Sequence, residues 1–115
     1  MTYKKIFYKL VKEFNLEVKP TAMFFVILAV YPDITGSLMK WYEKGDEFYL
    51  ATDVKYEHNL SDTEFSRYLF TNVHQFYGSY DAIHLEVMKI LEKVKKAKIE
   101  AKIIELECDF KWISY

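Results

Sequence analysis

The sequence predicts a single α+β domain built around an antiparallel sheet, and two neighbouring patterns carry this prediction. Apolar and polar side chains alternate over residues 48–57, as in an antiparallel strand with one buried face. An aromatic run at 39–42 precedes that strand across the short loop 43–46, where Gly45 can adopt the positive φ of a tight hairpin. The length of 115 residues is typical of one domain. We therefore expect the whole chain, residues 1–115, to form one α+β domain.

The first elements follow from the spacing of apolar residues. Residues 3–16 carry an apolar stripe at helical spacing with lysines on the opposite side, which predicts a helix that ends before Pro20. Residues 21–31 are apolar at both odd and even positions, which predicts a central strand covered on both faces. A buried helix of the same length is the alternative for this segment.

The middle of the chain is expected to form a hairpin. Residues 37–43 and 46–57 would pair as antiparallel strands across the glycine-containing loop. Leu38, Trp41 and Tyr42 would also suit one face of a short helix, so a helix over 37–43 is the alternative.

The second half is expected to contain two helices. Ser61 and Glu64 can accept hydrogen bonds from each other's backbone amides, as in a capping box, and this predicts a helix over residues 62–77. Ser79 then resembles the N-cap of a second helix, because apolar residues at helical spacing follow it.

The chain is expected to end in a strand. From Ile104 to Trp112, apolar residues alternate with acidic and basic ones. Residues 96–103 are strong helix formers, so the second helix could also run further. The expected order is α-β-β-β-α-α-β, with a four-stranded antiparallel sheet and the helices mainly on one face. A helix, a three-stranded meander and a helix resemble the beginning of bacterial secretion-chaperone-like domains, in element order alone.

Composition excludes several functional classes. A net charge of −1 favours neither nucleic acid nor an anionic membrane surface as a partner. The single cysteine, Cys108, excludes an intrachain disulfide and indicates a reducing compartment. The longest apolar run, residues 22–31, is shorter than the roughly 20 residues of a membrane-spanning helix. We expect a cytoplasmic protein, and its many Lys and Glu residues are typical of a thermophilic source or of an AT-rich genome.

Known catalytic and cofactor motifs are missing from the sequence. Its three glycines are isolated, so no glycine-rich phosphate-binding loop can form. His58, His74, His84 and Cys108 are the soft metal ligands, and no two have the i, i+3 or i, i+4 spacing of a helical metal site. We therefore expect no cofactor and no metal ion.

Charged residues form patterns that solvent exposure explains most simply. Glu105, Glu107 and Asp109 would share one face of the last strand, where they could form an acid–base pair only inside a cleft. Lysine strips on the helices could hold phosphates, but intervening glutamates and the neutral net charge make nucleic acid an improbable partner. No catalytic residue is expected, unless His74 or His84 meets Cys108 or a buried carboxylate in a pocket.

The aromatic residues are the strongest candidates for a functional surface. Tyrosine and tryptophan are enriched at interaction hot spots, and a sheet with helices on one side leaves its second face uncovered. We expect a non-enzymatic protein-binding module, homodimeric through the aromatic sheet face or the terminal strand. The alternative is a small-molecule-binding or enzymatic domain with a pocket between the aromatic sheet and the helix pair. The interface candidates are Trp41, Tyr42, Tyr49, Tyr56, Trp112 and Tyr115.

Overall fold

The computed structural model describes residues 2–21, 26–58 and 66–113, and within these ranges the chain is α+β as expected. The elements are α1 (Tyr3–Glu13), β1 (Glu17–Pro20), β2 (Val26–Val30), β3 (Ile34–Thr35), β4 (Met39–Tyr42), β5 (Glu47–His58), β6 (Ser66–Gln75) and α2 (Tyr80–Ile113). The sheet is mixed, with strand order β1-β2-β4-β5-β6-β3, in which only the β3–β6 pair is parallel. The expected four-stranded antiparallel sheet and the order α-β-β-β-α-α-β are therefore wrong.

The sheet is strongly curled, because its connections do not allow a flat one. β3 follows β2 after only three residues, yet it pairs with β6 at the opposite edge of the sheet. In a flat sheet β2 and β3 would lie four strand spacings apart, about 19 Å. The step from Val30 to Ile34 spans at most about 14 Å. The two edges therefore approach each other, and the sheet forms a half-barrel.

The predicted hairpin is confirmed. β4 and β5 pair antiparallel, with Trp41 opposite Phe48 and Tyr42 opposite Glu47, so residues 37–43 do not form a helix. Gly45 has a φ of +89°, as the turn requires. The strand predicted over residues 46–57 is present as β5, with Phe48 and Leu50 buried as expected, but Ala51, which was expected on the opposite face, is buried as well.

The hairpin turn is joined to the start of α1 through the carboxylate of Asp46. Its two oxygens accept hydrogen bonds from the backbone N–H groups of Tyr3 and Lys4, each at 3.0 Å, and from the indole N–H of Trp41 at 2.8 Å. The first turn of α1 contains no acidic residue of its own. Asp46 therefore supplies both the hydrogen-bond acceptors and the negative charge that a helix N-terminus favours.

α1 ends earlier than the apolar stripe predicts. The helix stops at Glu13, and Asn15 adopts a left-handed conformation with φ +52° that directs the chain into β1. Pro20 is the last residue of β1, an edge strand in which its missing N–H is tolerated. Residues 21–31 contain β2, which pairs with β1 and β4, while residues 22–25 lie outside the described part of the chain.

The predicted helix over residues 62–77 is wrong, because residues 66–75 form β6. β6 pairs with β5 along most of its length, from His58–Ser66 to Tyr49–Gln75. Pairing with β5 therefore overrides the helical spacing of the apolar side chains. The proposed Ser61–Glu64 capping box lies outside the described residues.

The predicted helix after Ser79 is confirmed, but the predicted last strand is wrong. The Ser79 hydroxyl accepts a hydrogen bond from the backbone N–H of Ala82 at 3.3 Å, as an N-cap does. α2 then continues through the predicted strand to Ile113. Its inward residues are small or apolar at alternating spacings of four and three, namely Ile83, Val87, Ile90, Val94, Ala97 and Ala101.

The core lies between the two helices and the curled sheet. α1 contributes Ile6, Phe7 and Leu10, and α2 contributes residues from Ile83 to Val94. Among the buried side chains of the described residues, Ser37 is the one polar member. No helix within the described ranges is long and apolar enough to cross a membrane.

Candidate functional site

Trp41 lies beneath α1 rather than at a surface. Its side chain is 4% exposed, and its ring packs edge-on against Tyr8 with the ring centroids 6.4 Å apart. Because neighbouring residues in a strand point to opposite faces, Tyr42 points away from α1. The aromatic candidates are thus divided between the two faces of the sheet.

We call Tyr42, Tyr49 and Tyr77 the tyrosine face. Tyr42 and Tyr49 lie on the side of the sheet opposite α1, and Tyr77, two residues after β6, is close enough to Tyr49 to interact with it electrostatically. The rings of Tyr42 and Tyr49 are 4.8 Å apart, and Tyr77 is 73% exposed. The Tyr49 hydroxyl lies 3.3 Å from Glu47 Oε2 and 3.4 Å from Gln75 Oε1. Desolvation and the negative charge of Glu47 raise the pKa of Tyr49. The tyrosine face is therefore amphipathic, with flat rings beside a carboxylate.

The remaining aromatic candidates are separate from the tyrosine face. Tyr56 pairs with Tyr68 across the β5–β6 ladder, with ring centroids 5.0 Å apart. Trp112 belongs to α2, but its side chain and the whole of Tyr115 lie outside the described part of the molecule.

The closest approach to a catalytic arrangement joins the end of α1 to the start of α2. Glu13 Oε2 lies 3.2 Å from His84 Nε2, and the Tyr80 hydroxyl donates a hydrogen bond to Glu13 Oε1. This hydrogen bond, together with desolvation, raises the pKa of Tyr80 to about 12. The side chains of Glu13 and His84 are 35% and 33% exposed. These groups contact one another at the surface, so they do not form an enclosed acid–base pair.

The other candidate ligands and charges are dispersed. His74 is exposed on β6, and the side chains of His58, Cys108, Glu105, Glu107 and Asp109 lie outside the described part of the chain. No group of three possible metal-ligating side chains occurs among the described residues.

The lysine strip on α2 consists of Lys89, Lys93, Lys95, Lys96 and Lys98, and several of these lysines are paired with acidic residues. Lys93 Nζ lies 2.9 Å from Asp53 Oδ1, and Lys89 and Lys95 bind Glu86 and Glu92 one helical turn away. The hydrogen bonds from Asn72 and Lys93 lower the pKa of Asp53. These contacts partly neutralise the strip on α2.

The described ranges include the following two concavities. One, of about 120 Å³, lies between β5 and α2, and its floor includes Leu50, Ala51 and Ile90. The other, of about 680 Å³, lies where β1 and β2 meet residues 31–37 at the end of the half-barrel. Three lining residues of the larger one have positive φ angles, namely Asn15, Asp33 and Gly36.

α2 exposes a second apolar stripe opposite its core stripe, which we call the outer face. Successive residues on a helix turn by about 100°, so these positions lie on the side of α2 that points away from Ile90 and Val94. This face was not predicted, because a strand over 104–112 separates Leu106 from the helical spacing of the residues before it. The steps of four and three between Ile99, Ile103 and Leu106 are the signal in the sequence that indicates it. The outer face consists of two apolar groups separated by the charged Glu92 and Lys96, namely Leu85 with Met88, and Ile99 with Ile103 and Leu106, which are 49–59% exposed.

The comparisons with known proteins add no relative to these observations. No family model matches the sequence, and neither the curated proteins nor the solved structures yield a significant match.

Proposed function

We propose that the protein is a non-enzymatic interaction module that acts as a homodimer. The observation that carries this proposal is the outer face of α2, where large apolar residues are 49–59% exposed along one helix. Single exposed apolar residues are common on monomers, but aligned apolar residues on one face mark an interaction site. Association with a second copy would remove this surface from water.

The tyrosine face supports the binding of a further protein. Tyrosine provides a large rigid contact area, and its hydroxyl can exchange hydrogen bonds with a partner. Tyr77 is 73% exposed, and the Tyr49 hydroxyl is within hydrogen-bonding distance of Glu47 and Gln75 at the same surface. This surface lies on the sheet, apart from the outer face of α2, so both could be occupied at once.

A small-molecule-binding or enzymatic domain is the alternative. The expected pocket between sheet and helices corresponds to the concavity of about 120 Å³, whereas ligand sites usually occupy about 300–1,000 Å³. The larger concavity beside β1 and β2 has a suitable volume, and its positive φ angles at Asn15 and Asp33 are the kind of backbone strain found at binding sites. The small-molecule-binding alternative is therefore supported at the larger concavity and not at the concavity between the sheet and α2.

The molar mass in solution tests the proposed function. We expect light scattering at tens of micromolar protein to give twice the chain mass of 13.8 kDa. The melting temperature should also rise with protein concentration, because dimerisation stabilises the folded state by mass action. A mass of one chain, with a melting temperature independent of concentration, would contradict the proposal.

A further inference from the structure

We propose that two copies pair side by side through the C-terminal half of α2, with the helices parallel, as a two-stranded coiled coil. This inference rests on the proposed homodimer and specifies its surface and orientation. The occupant of the outer face is thus a second copy of this chain, and the pairing segment is residues 95–113.

The apolar spacing on the outer face is that of a coiled-coil seam. Ile99, Ile103 and Leu106 follow one another at steps of four and three, and the sequence continues the same spacing with Phe110 and Ile113. In heptad notation Ile103 is an a position, whereas Ile99 and Leu106 are d positions. A β-branched residue at a followed by leucine at d, as at 103 and 106, favours two strands.

The C-terminal half of α2 is buried on its inner side and exposed on its outer side. Ala101 on the inner side is 2% exposed, whereas Ile99, Ile103 and Leu106 on the outer face are 50–59% exposed. A helix of 34 residues is about 51 Å long. The longest dimension of the molecule is 60 Å and the next is 30 Å. The pairing segment therefore has room for a second helix on its outer side, with the body of the domain on the other.

Charge favours the parallel orientation. In a parallel pair, a g residue meets the e residue five positions later on the other helix, so Lys95 meets Glu100 of the second copy, twice per dimer. Position 102 meets position 107 in the same way, again lysine against glutamate. An antiparallel pair with Ile103 against Leu106 would instead set Glu100 against position 107, which is also glutamate.

The existing contacts of these charged residues do not prevent the pairing. Lys95 is 73% exposed and its Nζ lies 3.4 Å from Glu92 Oε1 on the same helix, a surface ion pair of little strength. Lys96 occupies the a position before Ile99, where two lysines would face each other in a parallel pair. We therefore expect the seam to begin after Lys96.

Charge-reversal variants test the orientation. In the parallel pair, Glu100→Lys and Lys95→Glu each replace two attractions by two repulsions, so each should weaken dimerisation roughly tenfold in sedimentation equilibrium. The double variant Lys95→Glu/Glu100→Lys restores opposite charges and should return the dissociation constant to near that of the wild type. An equimolar mixture of the two single variants should form heterodimers in preference to either homodimer.

The outcomes separate this inference from the proposed function. If Glu100→Lys tightens the dimer or leaves it unchanged, the parallel pairing is wrong while the homodimer remains. A monomeric wild type would contradict the homodimer itself. The helical circular dichroism and melting temperature of each variant, measured below the dissociation constant, should match those of the wild type, which shows that the substitutions act on association rather than folding.

Discussion

Asp46 is the residue with the largest expected influence on the joint between α1 and the hairpin. Burial alone would raise the pKa of its carboxyl, but the hydrogen bonds from Trp41, Tyr3 and Lys4 outweigh this effect and lower it. The charged form is thus favoured in the folded protein. Because the folded pKa lies below the ordinary value of 3.8, this contribution to stability is present above that pH and is lost as the pH falls through the folded pKa.

We expect Asp46→Ala to lower the free energy of unfolding by about 1–3 kcal/mol at neutral pH, because three donors lose a charged acceptor. Asp46→Asn should cost less, since asparagine keeps one acceptor oxygen and tolerates the φ of +49° at this position. Urea unfolding followed by circular dichroism measures both. Glu43→Ala, in the same turn, is the control and should change stability little.

The pH dependence provides a second test of Asp46. The wild type should lose stability between neutral pH and acidic pH more steeply than Asp46→Asn, because only the wild type loses the Asp46 charge. If the free energy of unfolding of both proteins falls equally with decreasing pH, the carboxylate does not anchor α1.

Tyr80 provides a prediction at alkaline pH. Its pKa is raised to about 12 by the hydrogen bond to Glu13 and by desolvation, so the neutral phenol is favoured in the folded state. Its stabilising contribution is present below the ordinary pKa of 10.0 and disappears as the pH rises through about 12. In carbon NMR, one tyrosine ring should titrate near pH 12, and that signal should be missing in Tyr80→Phe. Titration of the assigned Tyr80 signal near pH 10 would show that the Glu13 contact is absent in solution.

Among the helices and strands, those determined by residues close together in the sequence could be predicted from it. The β4–β5 hairpin was predictable because alternation and Gly45 act within a few residues. The start of α2 was predictable from the Ser79 cap. β6 was not predictable, because its apolar residues suit both a helix and a strand. The pairing with β5 decides between the two, and no local signal within residues 66–75 indicates that pairing.

At the end of α2 the error was the reverse one, because a strand was predicted where the chain forms a helix. Residues 104–112 alternate as in a strand, but the strong helix formers before them continue the helix through this segment. In the sequence, apolar residues over 104–112 recur every second position, a spacing that a strand explains by its alternation. A strand here implies an interaction surface on the sheet or on the terminal strand, whereas a helix leaves the outer face of α2 exposed instead.

The two faces of α2 should respond differently to truncation. Ile90 is 2% exposed and belongs to the core, so Ile90→Ala should lower the free energy of unfolding by about 2–5 kcal/mol. Leu85 is 54% exposed on the outer face and precedes the pairing segment, so Leu85→Ala should cost less than about 0.5 kcal/mol. Denaturant unfolding measures both variants. Equal losses would mean that the assignment of the two faces is incorrect.

For the whole molecule, the curled sheet follows from one connection. The three residues between β2 and β3 cannot cross a flat sheet, so the edge strands approach and residues 31–37 form one wall of the larger concavity. This curvature was not predictable, because a two-residue strand such as Ile34–Thr35 has no periodicity of its own.

The central claim is that the outer face of α2, rather than the tyrosine face, holds two copies together. Ile103→Lys places a charge in the middle of the proposed seam, where its desolvation would oppose pairing. Tyr77→Lys introduces the same charge on the tyrosine face, at a residue that is 73% exposed. Both substitutions affect exposed side chains, so neither should disturb the core.

The most direct measurement is the molar mass of these two variants beside the wild type, by light scattering at tens of micromolar. The account predicts one chain mass, 13.8 kDa, for Ile103→Lys, and twice that mass for the wild type and for Tyr77→Lys. A dimeric Ile103→Lys together with a monomeric Tyr77→Lys would contradict it and assign the dimer interface to the sheet.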